Sequence, residues 1–249
     1  MRRTPRMLSC LTLLGLAAAP AAHASTSSDG GWEWVAAPYL WMASQTTDAS
    51  EDAEPVPNET SFSSIIDKLD FAFQGHVEGQ GERFGVFGDV TYIALSDNKS
   101  FTRFDTNASM DTTLVEVAGV WNVEPERYQG LDVFLGVRHL IADFTLTIKP
   151  AAGQTFPQAE VGFDQSYTDV MAGARYTARL GEKWTMITRV DGGWGDTDGT
   201  VNASVMFGRK LGAGSLMVGY RYFDVEASKG TTDVDVTVQG PVLAYAFGL

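Results

Sequence analysis

The stretch Asp233–Leu249, DVDVTVQGPVLAYAFGL, decides how the chain is read. From Pro241 onward the larger apolar side chains fall on alternate positions, Leu243, Tyr245, Phe247 and Leu249, with Val242, Ala244, Ala246 and Gly248 among them. Period-two alternation gives a strand with two unlike faces. Before the Gly240-Pro241 pair the apolar parity is the opposite one, carried by Val234, Val236 and Val238. A β-bulge at Gly240 would produce that flip, because one inserted residue moves every later side chain to the other face. A half-apolar strand running to the chain end without a polar tail predicts a closing strand, paired with the first strand of its sheet.

Nine further strands are expected ahead of it: Trp32–Ala43, Phe71–Gly81, Phe84–Leu95, Thr112–Val123, Leu131–Ile148, Ser166–Leu180, Trp184–Trp194, Val201–Lys210 and Leu216–Glu226. Their connectors alternate. The first, third and fifth strands are followed by the long segments Ser44–Asp70, Ser96–Asp111 and Lys149–Gln165. The even-numbered strands are followed by the compact ones Glu82-Arg83, Glu124–Gly130, Gly181–Lys183 and Leu211–Ser215. A sandwich has no reason to keep that order, whereas a transmembrane barrel has short periplasmic turns and longer outer loops. The reading is therefore all-β: a single antiparallel transmembrane β-barrel of about ten strands in the cell outer membrane, closed by Leu243, Tyr245, Phe247 and Leu249.

Within the strands the faces differ as such a barrel requires. Leu131, Val133, Leu135 and Val137 oppose Asp132, Phe134, Gly136 and Arg138, and Phe71, Phe73 and Val77 oppose Gln74, His76, Glu78 and Gln80. Val115, Val117 and Trp121 oppose Leu114, Glu116 and Asn122, while Val170, Ala172, Ala174 and Tyr176 oppose Asp169, Met171, Gly173 and Arg175. With the apolar faces turned to lipid, the lumen receives Glu78, Asp89, Glu116, Arg138, Asp169, Arg175, Arg189, Asp191 and Arg221. Ionised groups in a narrow interior are costly unless they pair, and a barrel of this size barely exceeds one that its own side chains fill. Two roles fit: a salt-bridge network that keeps the barrel shut and rigid, or a narrow pore selecting small polar solutes.

The other end of the chain reads as a leader. Arg2, Arg3 and Arg6 precede the apolar run Met7–Ala19, and Ala22-His23-Ala24 is a small-residue cleavage site, giving a cleaved signal peptide over 1–24 and a barrel domain over 25–249. Leu8-Ser9-Cys10 has a lipobox flavour, but Cys10 precedes most of the apolar run instead of following it. It is the only cysteine, so disulfide and thiolate chemistry is not expected of the mature chain. The leader holds three of the 18 Lys+Arg and none of the 31 Asp+Glu, so the remainder has 15 cations against 31 anions, a formal −16. That charge argues against a nucleic-acid partner.

Phe62, Ile65, Ile66 and Leu69 have helical spacing after a Ser61 N-cap, which predicts a short helix at Ser61–Leu69 in the first outer loop. Asp48, Glu51, Asp52, Glu54 and Glu59, with Pro55 and Pro57, read as a solvated acidic loop. Asp196-Thr197-Asp198-Gly199 has the start of a calcium loop without its later ligands, and a tight turn explains it equally well. Of the two later histidines, His76 shares a face with Glu78, an arrangement suited to acid–base work, whereas His139 has the apolar parity of its strand. No metal, no cofactor and no leading enzymatic role follow from these residues. The alternatives are a barrel hydrolase acting on lipid or peptide, and a periplasmic lipocalin-like binding protein.

The run FSSIIDKLDFAFQGHVEGQGERFGVFGDVTYIAL, Phe62 to Leu95, resembles uncharacterised outer-membrane β-barrel proteins of Gram-negative bacteria. The resemblance rests on Leu69-Asp70-Phe71, Gly75, Glu78, Arg83-Phe84-Gly85, Asp89 and Tyr92, with Tyr39-Leu40-Trp41 in the first strand. It implies a porin-like or small outer-membrane barrel, with outer-membrane lipid, lipopolysaccharide and the barrel-assembly machinery as partners. It brings no activity or functional residues.

Finally, the first and last strands each contain a proline, Pro38 and Pro241. Proline lacks the N–H that a ladder needs. Counted up from the termini the two stand at similar depth, so the seam between these strands is expected to be the weakest ladder of the barrel.

Overall fold

The computed structural model describes residues 31–50, 58–229 and 232–249, so the leader expected at 1–24 and the middle of the acidic loop lie outside the described residues. Its strands are β1 (Glu33–Trp41), β2 (Ser44–Ser50), β3 (Asn58–Thr60), β4 (Leu69–Gln80), β5 (Phe84–Ser100), β6 (Phe104–Asn122), β7 (Gly130–Pro150), β8 (Ala159–Arg179), β9 (Trp184–Gly195), β10 (Gly199–Leu211), β11 (Gly214–Lys229) and β12 (Thr232–Gly248). β1 pairs with both β4 and β12, which closes β1 and β4–β12 into an antiparallel barrel of ten strands. β2 prolongs β1 along the same neighbour. β1 meets β12 from Val35–Gly248 to Trp41–Val242, and β2 meets it from Ser44–Gln239 to Ser50–Asp233 in the same register. Between them Met42 N donates to Pro241 O at 2.8 Å. β3 adds a short rung on the free edge of β2.

The helix α1 (Phe62–Ile66) is shorter than its spacing predicts, because Leu69 already belongs to β4. Ser61 caps it, its Oγ accepting from Ser64 N at 3.4 Å, and Phe62 N donates to Ser44 Oγ on β2 at 3.2 Å.

Much of the expected long connectors is strand. β5 and β6 are joined through only Phe101–Arg103, and β7 runs on to Pro150. The alternation still names the correct end of the barrel, since these hairpins rise away from the termini. Their outward positions, Asp105, Asn107, Ser109 and Asp111 on β6, are polar, so no apolar period marks them as strand.

The bulge expected at Gly240 is not there. β12 pairs with β11 from Gly214–Phe247 to Lys229–Thr232 without a register shift, and exposure alternates unbroken through Gly240, Val242 and Ala244 inside and Pro241, Leu243 and Tyr245 outside. The parity switch has another cause. Val234, Val236 and Val238 share the inward face with Val242, while Asp233, Asp235, Thr237 and Gln239 occupy the outward one. Below Gly240 hydrocarbon demands apolar side chains outside; above it the strand stands in water. β11 repeats the change, from Leu216, Val218 and Tyr220 to Asp224 and Glu226.

Aromatic residues mark both borders of the apolar band. Trp34, Phe84, Trp121, Tyr176 and Trp184 are exposed towards the termini, and Phe71, Trp194 and Tyr220 towards the far end. That exterior is a membrane barrel's. Among the described residues no helix is long and apolar enough to cross a membrane. A charge placed on the wall tests the border. Leu243→Arg is expected to cost about 2–4 kcal/mol in vesicle-embedded protein unfolded with urea, whereas Gln239→Arg, on the same face past the border, costs about 0–1 kcal/mol.

The prolines are not level. The register sets Pro241 against Met42, four residues beyond Pro38. Pairing of β1 with β12 lapses only at Ala37 and Pro38, then resumes and is extended by β2. The ladder that ends early is the other one: β1 and β4 part after their Pro38–Gly75 rung.

Candidate functional site: the charged interior

Parity along each strand determines what the lumen holds. His76, Asp89, Glu116, Arg138 and Asp169 are direct cross-strand neighbours on β4 to β8, a continuous ionisable strip across five strands. Direct opposition brings side chains on one face within reach of each other.

Glu116, with no exposed surface, is the hub. Arg138 Nε donates to its Oε1 at 2.8 Å, Arg189 Nη2 donates to its Oε2 at 3.1 Å, and Arg221 Nη2 lies 3.7 Å from the same oxygen. Asp191 is a second hub: it accepts from Arg138 Nη2, from Arg189 Nε at 2.7 Å and from Asn202 Nδ2 at 2.8 Å. Towards the termini Arg175 forks onto Glu78 through two 2.6 Å bonds and reaches Asp132 Oδ2 at 2.7 Å. Bidentate forks of this kind are the strong form of the ion pair. His76 links the groups, its ring nitrogens each 3.2 Å from a carboxylate oxygen, Asp89 on one side and Glu78 on the other. Asp169 stands slightly apart, accepting from Thr197 N and Thr197 Oγ1. Hydrogen bonds and ion pairs thus join Glu78, Asp89, Glu116, Arg138, Arg175, Arg189, Asp191 and Arg221, while among the described residues the Asp169 carboxylate is bonded to Thr197 alone.

Four contributors escaped the sequence reading. Asp132 completes the Arg175 clamp; Asn202 joins Asp191 to Arg221, whose Nε donates to Asn202 Oδ1 at 2.9 Å. Thr200 accepts from Arg138 Nη1 at 2.6 Å, and Tyr39 OH donates to Asp89 Oδ1 at 2.7 Å. Carrying the same alternation through β1 and β10 would have placed Tyr39, Thr200 and Asn202 inward.

Apolar layers lie on both sides of the charges. On the far side Trp41, Ala43, Leu114, Phe223, Val225 and Val242 form a buried cluster; on the terminus side Phe87, Ala118, Val120, Phe134 and Met171 form another. The guanidiniums stack on these rings: Arg221 lies 4.8 Å from Trp41, Arg138 4.9 Å from Phe223, and Arg189 5.0 Å from Phe134. Stacking on aromatic faces is one reason that arginine, not lysine, supplies the cations here. The β6–β7 turn is fastened to β1 and β4. Tyr128, held at φ 54°, donates from its N–H to Gln80 Oε1 at 2.7 Å and from its hydroxyl to Glu33 O at 2.6 Å.

The remaining candidates fall elsewhere. His139 faces outward and meets Thr168 Oγ1 at 2.9 Å. Asp196 and Asp198 turn to opposite neighbours, Asp196 accepting from Thr168 N and Asp198 from Ser228 Oγ, which ties the β9–β10 turn to β8 and β11. On the β5 extension Lys68 and Lys99 hold the Asp97 carboxyl below the usual carboxylate range.

No family model matches this chain, and no curated protein does. Solved structures do. The outer membrane protease OmpT from Escherichia coli superposes with a TM-score of 0.52 at 8% identity, over 91% of this chain and 99% of that one. Ail, the attachment invasion locus protein of Yersinia pestis, gives 0.38 at 9% identity over 87% and 99%, and the translocator domain of the Neisseria meningitidis autotransporter NalP gives 0.39 at 9% over 88% and 90%. The likeness to OmpT is one of fold, and with the apolar exterior it makes this chain a closed transmembrane β-barrel of the outer-membrane type.

Proposed function

We propose that the chain is a structural outer-membrane barrel whose arginine–carboxylate interior holds the wall shut and rigid. One observation carries this reading: Glu116 is wholly buried, shared by Arg138, Arg189 and Arg221, and enclosed between two apolar layers. A selective constriction needs charges that meet water on a continuous path. Here Arg138, Glu116, Asp132 and Asp169 have at most 2% of their surface exposed. His76 also reads as part of the network, since both its ring nitrogens face carboxylates that arginines already hold. The carboxyl-terminal strand with Tyr245 and Phe247 is the segment we assign to the barrel-assembly machinery.

Conductance in planar bilayers tests the proposal. Purified protein that is heat-modifiable, and so folded, is expected to insert without discrete current steps. Regular steps with cation preference would favour the narrow-pore reading, which the excess of lumen carboxylates over arginines would then explain.

A further inference from the structure

We propose that the place where β1 and β4 part seats one acyl chain of a zwitterionic phospholipid from the surrounding membrane. After the Pro38–Gly75 rung β1 follows β12, while β4 stays with β5 as far as Leu69–Leu95. Tyr39–Ala43 and Phe71–Gln74 therefore face each other with no backbone rung between them. Trp41 N instead donates to the side chain of Gln74, at 2.6 Å from Oε1. Directly below, a cavity of about 430 Å³ opens at this seam, its outward lining formed by Pro38, Phe73, Gly75, Val77, Gly88 and Val117.

Two glycines make the hollow. Gly75 and Gly88 both take outward positions, Gly75 between Pro38 and Val90 and Gly88 between Val77 and Val117 on the neighbouring strands. A Cβ at Gly88 would find nothing nearer than Glu116 O at 3.9 Å, and one at Gly75 nothing nearer than Phe73 Cζ at 3.8 Å, so the wall has room that no protein atom occupies. An apolar hollow in the hydrocarbon offers water no partners, and left empty it would forfeit dispersion contacts. A chain of methylenes fills it. At its upper end the parted strands present backbone groups outside any ladder, at the level of Phe71, where the apolar band ends. Backbone polar groups there need partners that hydrocarbon cannot supply; the ester carbonyls of the same lipid can accept from the freed N–H groups, and its ammonium can donate to the freed carbonyls. Past the border, one and two strands from β1 on the side away from β4, the outward face of β12 and β11 carries Asp224, Glu226, Asp233 and Asp235, an anionic wall that favours a headgroup bearing an ammonium over a polyanionic one.

Native mass spectrometry decides. Detergent-purified full-length protein is incubated with dioleoyl phosphatidylethanolamine, or with lipid A in chelator, and bound lipid is counted. The wild type is expected to retain one phosphatidylethanolamine. Gly88→Leu, which fills the hollow, is expected to lower retention about fivefold or more while heat-modifiable migration stays the same. Val77→Phe fills it from the side and is expected to do likewise; Val218→Leu, on a distant part of the wall, changes nothing. Equal retention in the filled variants, preference for lipid A, or no lipid retained above the detergent background overturns the proposal.

Discussion

Arg138→Leu is expected to lower the unfolding free energy by about 3–5 kcal/mol, the usual consequence of removing one partner from a buried ion pair. Arg138 is 1% exposed and serves Glu116, Asp191 and Thr200 at once. Among the described residues four lumen arginines face six lumen carboxylates (Glu78, Asp89, Glu116, Asp132, Asp169 and Asp191), so no other guanidinium there is free to replace it. Arg221→Leu is the informative comparison. Its Nη2 makes no hydrogen bond and its carboxylate contacts are 3.7 and 3.8 Å long, so about 1–3 kcal/mol is expected. Urea titration of vesicle-embedded protein measures both. Equal and negligible losses would mean that water reaches these groups, and the closed-barrel reading would fail with them.

The wall is built around this network as much as by it. Arg175 and Arg189 are direct cross-strand partners on β8 and β9, a placement of like charges that destabilises a sheet unless each has its own counter-ion. They diverge, Arg175 to Glu78 and Asp132, Arg189 to Asp191 and Glu116. Glycines supply the space. A Cβ on Gly173 would stand 2.4 Å from Asp191 Cβ and 2.7 Å from the Phe134 ring, and one on Gly136 would stand 2.1 Å from Val117 O. Bulky charges on one strand thus depend on bare backbone on the next.

These contacts explain which parts of the molecule could be read beforehand. Period-two alternation assigned a face to each tested strand from Phe71 to Arg221, because lipid outside and charge inside differ sharply at every second residue. The far hairpins hid their strand character because both of their faces meet water, and an outward run such as Asp105, Asn107, Ser109 and Asp111 looks like a loop. At Gly240 the same alternation misled: a change of solvent outside the strand leaves the same mark in a sequence as an inserted residue. The prolines pointed to a weak ladder and to the wrong partner. Which neighbour β1 deserts depends on β2, whose polar residues Ser44–Ser50 carry no strand signal and yet reinforce the β12 side. Asp132 had the right parity, but its role was hidden for a different reason: a carboxylate becomes a clamp only through a guanidinium on the adjacent strand, and register is not written in either strand alone.

Truncating one aromatic residue in each apolar layer is expected to separate stability from closure. Phe134→Ala should cost about 3–5 kcal/mol, since the ring is buried, meets Phe87 edge-on at 5.4 Å and carries the Arg189 guanidinium. Trp41→Ala should cost a similar amount, about 3–5 kcal/mol, through lost contact with Phe223 and Val242 and with the Arg221 guanidinium stacked on it. The rings belong to different clusters on opposite sides of Glu116, so the two losses should nearly add. Conduction should not. An ion passing an apolar constriction must shed water that nothing replaces, so one intact layer is enough to block it. Each single variant is therefore expected to be as silent as the wild type in planar bilayers, while the double variant should show discrete steps selective for cations. Single-channel recording counts only inserted molecules, so partial misfolding of the double variant does not mask the result. Steps in either single variant would mean that one layer alone blocks ions, and silence in the double variant would mean that the charged layer, besides holding the wall rigid, is itself sufficient to block them.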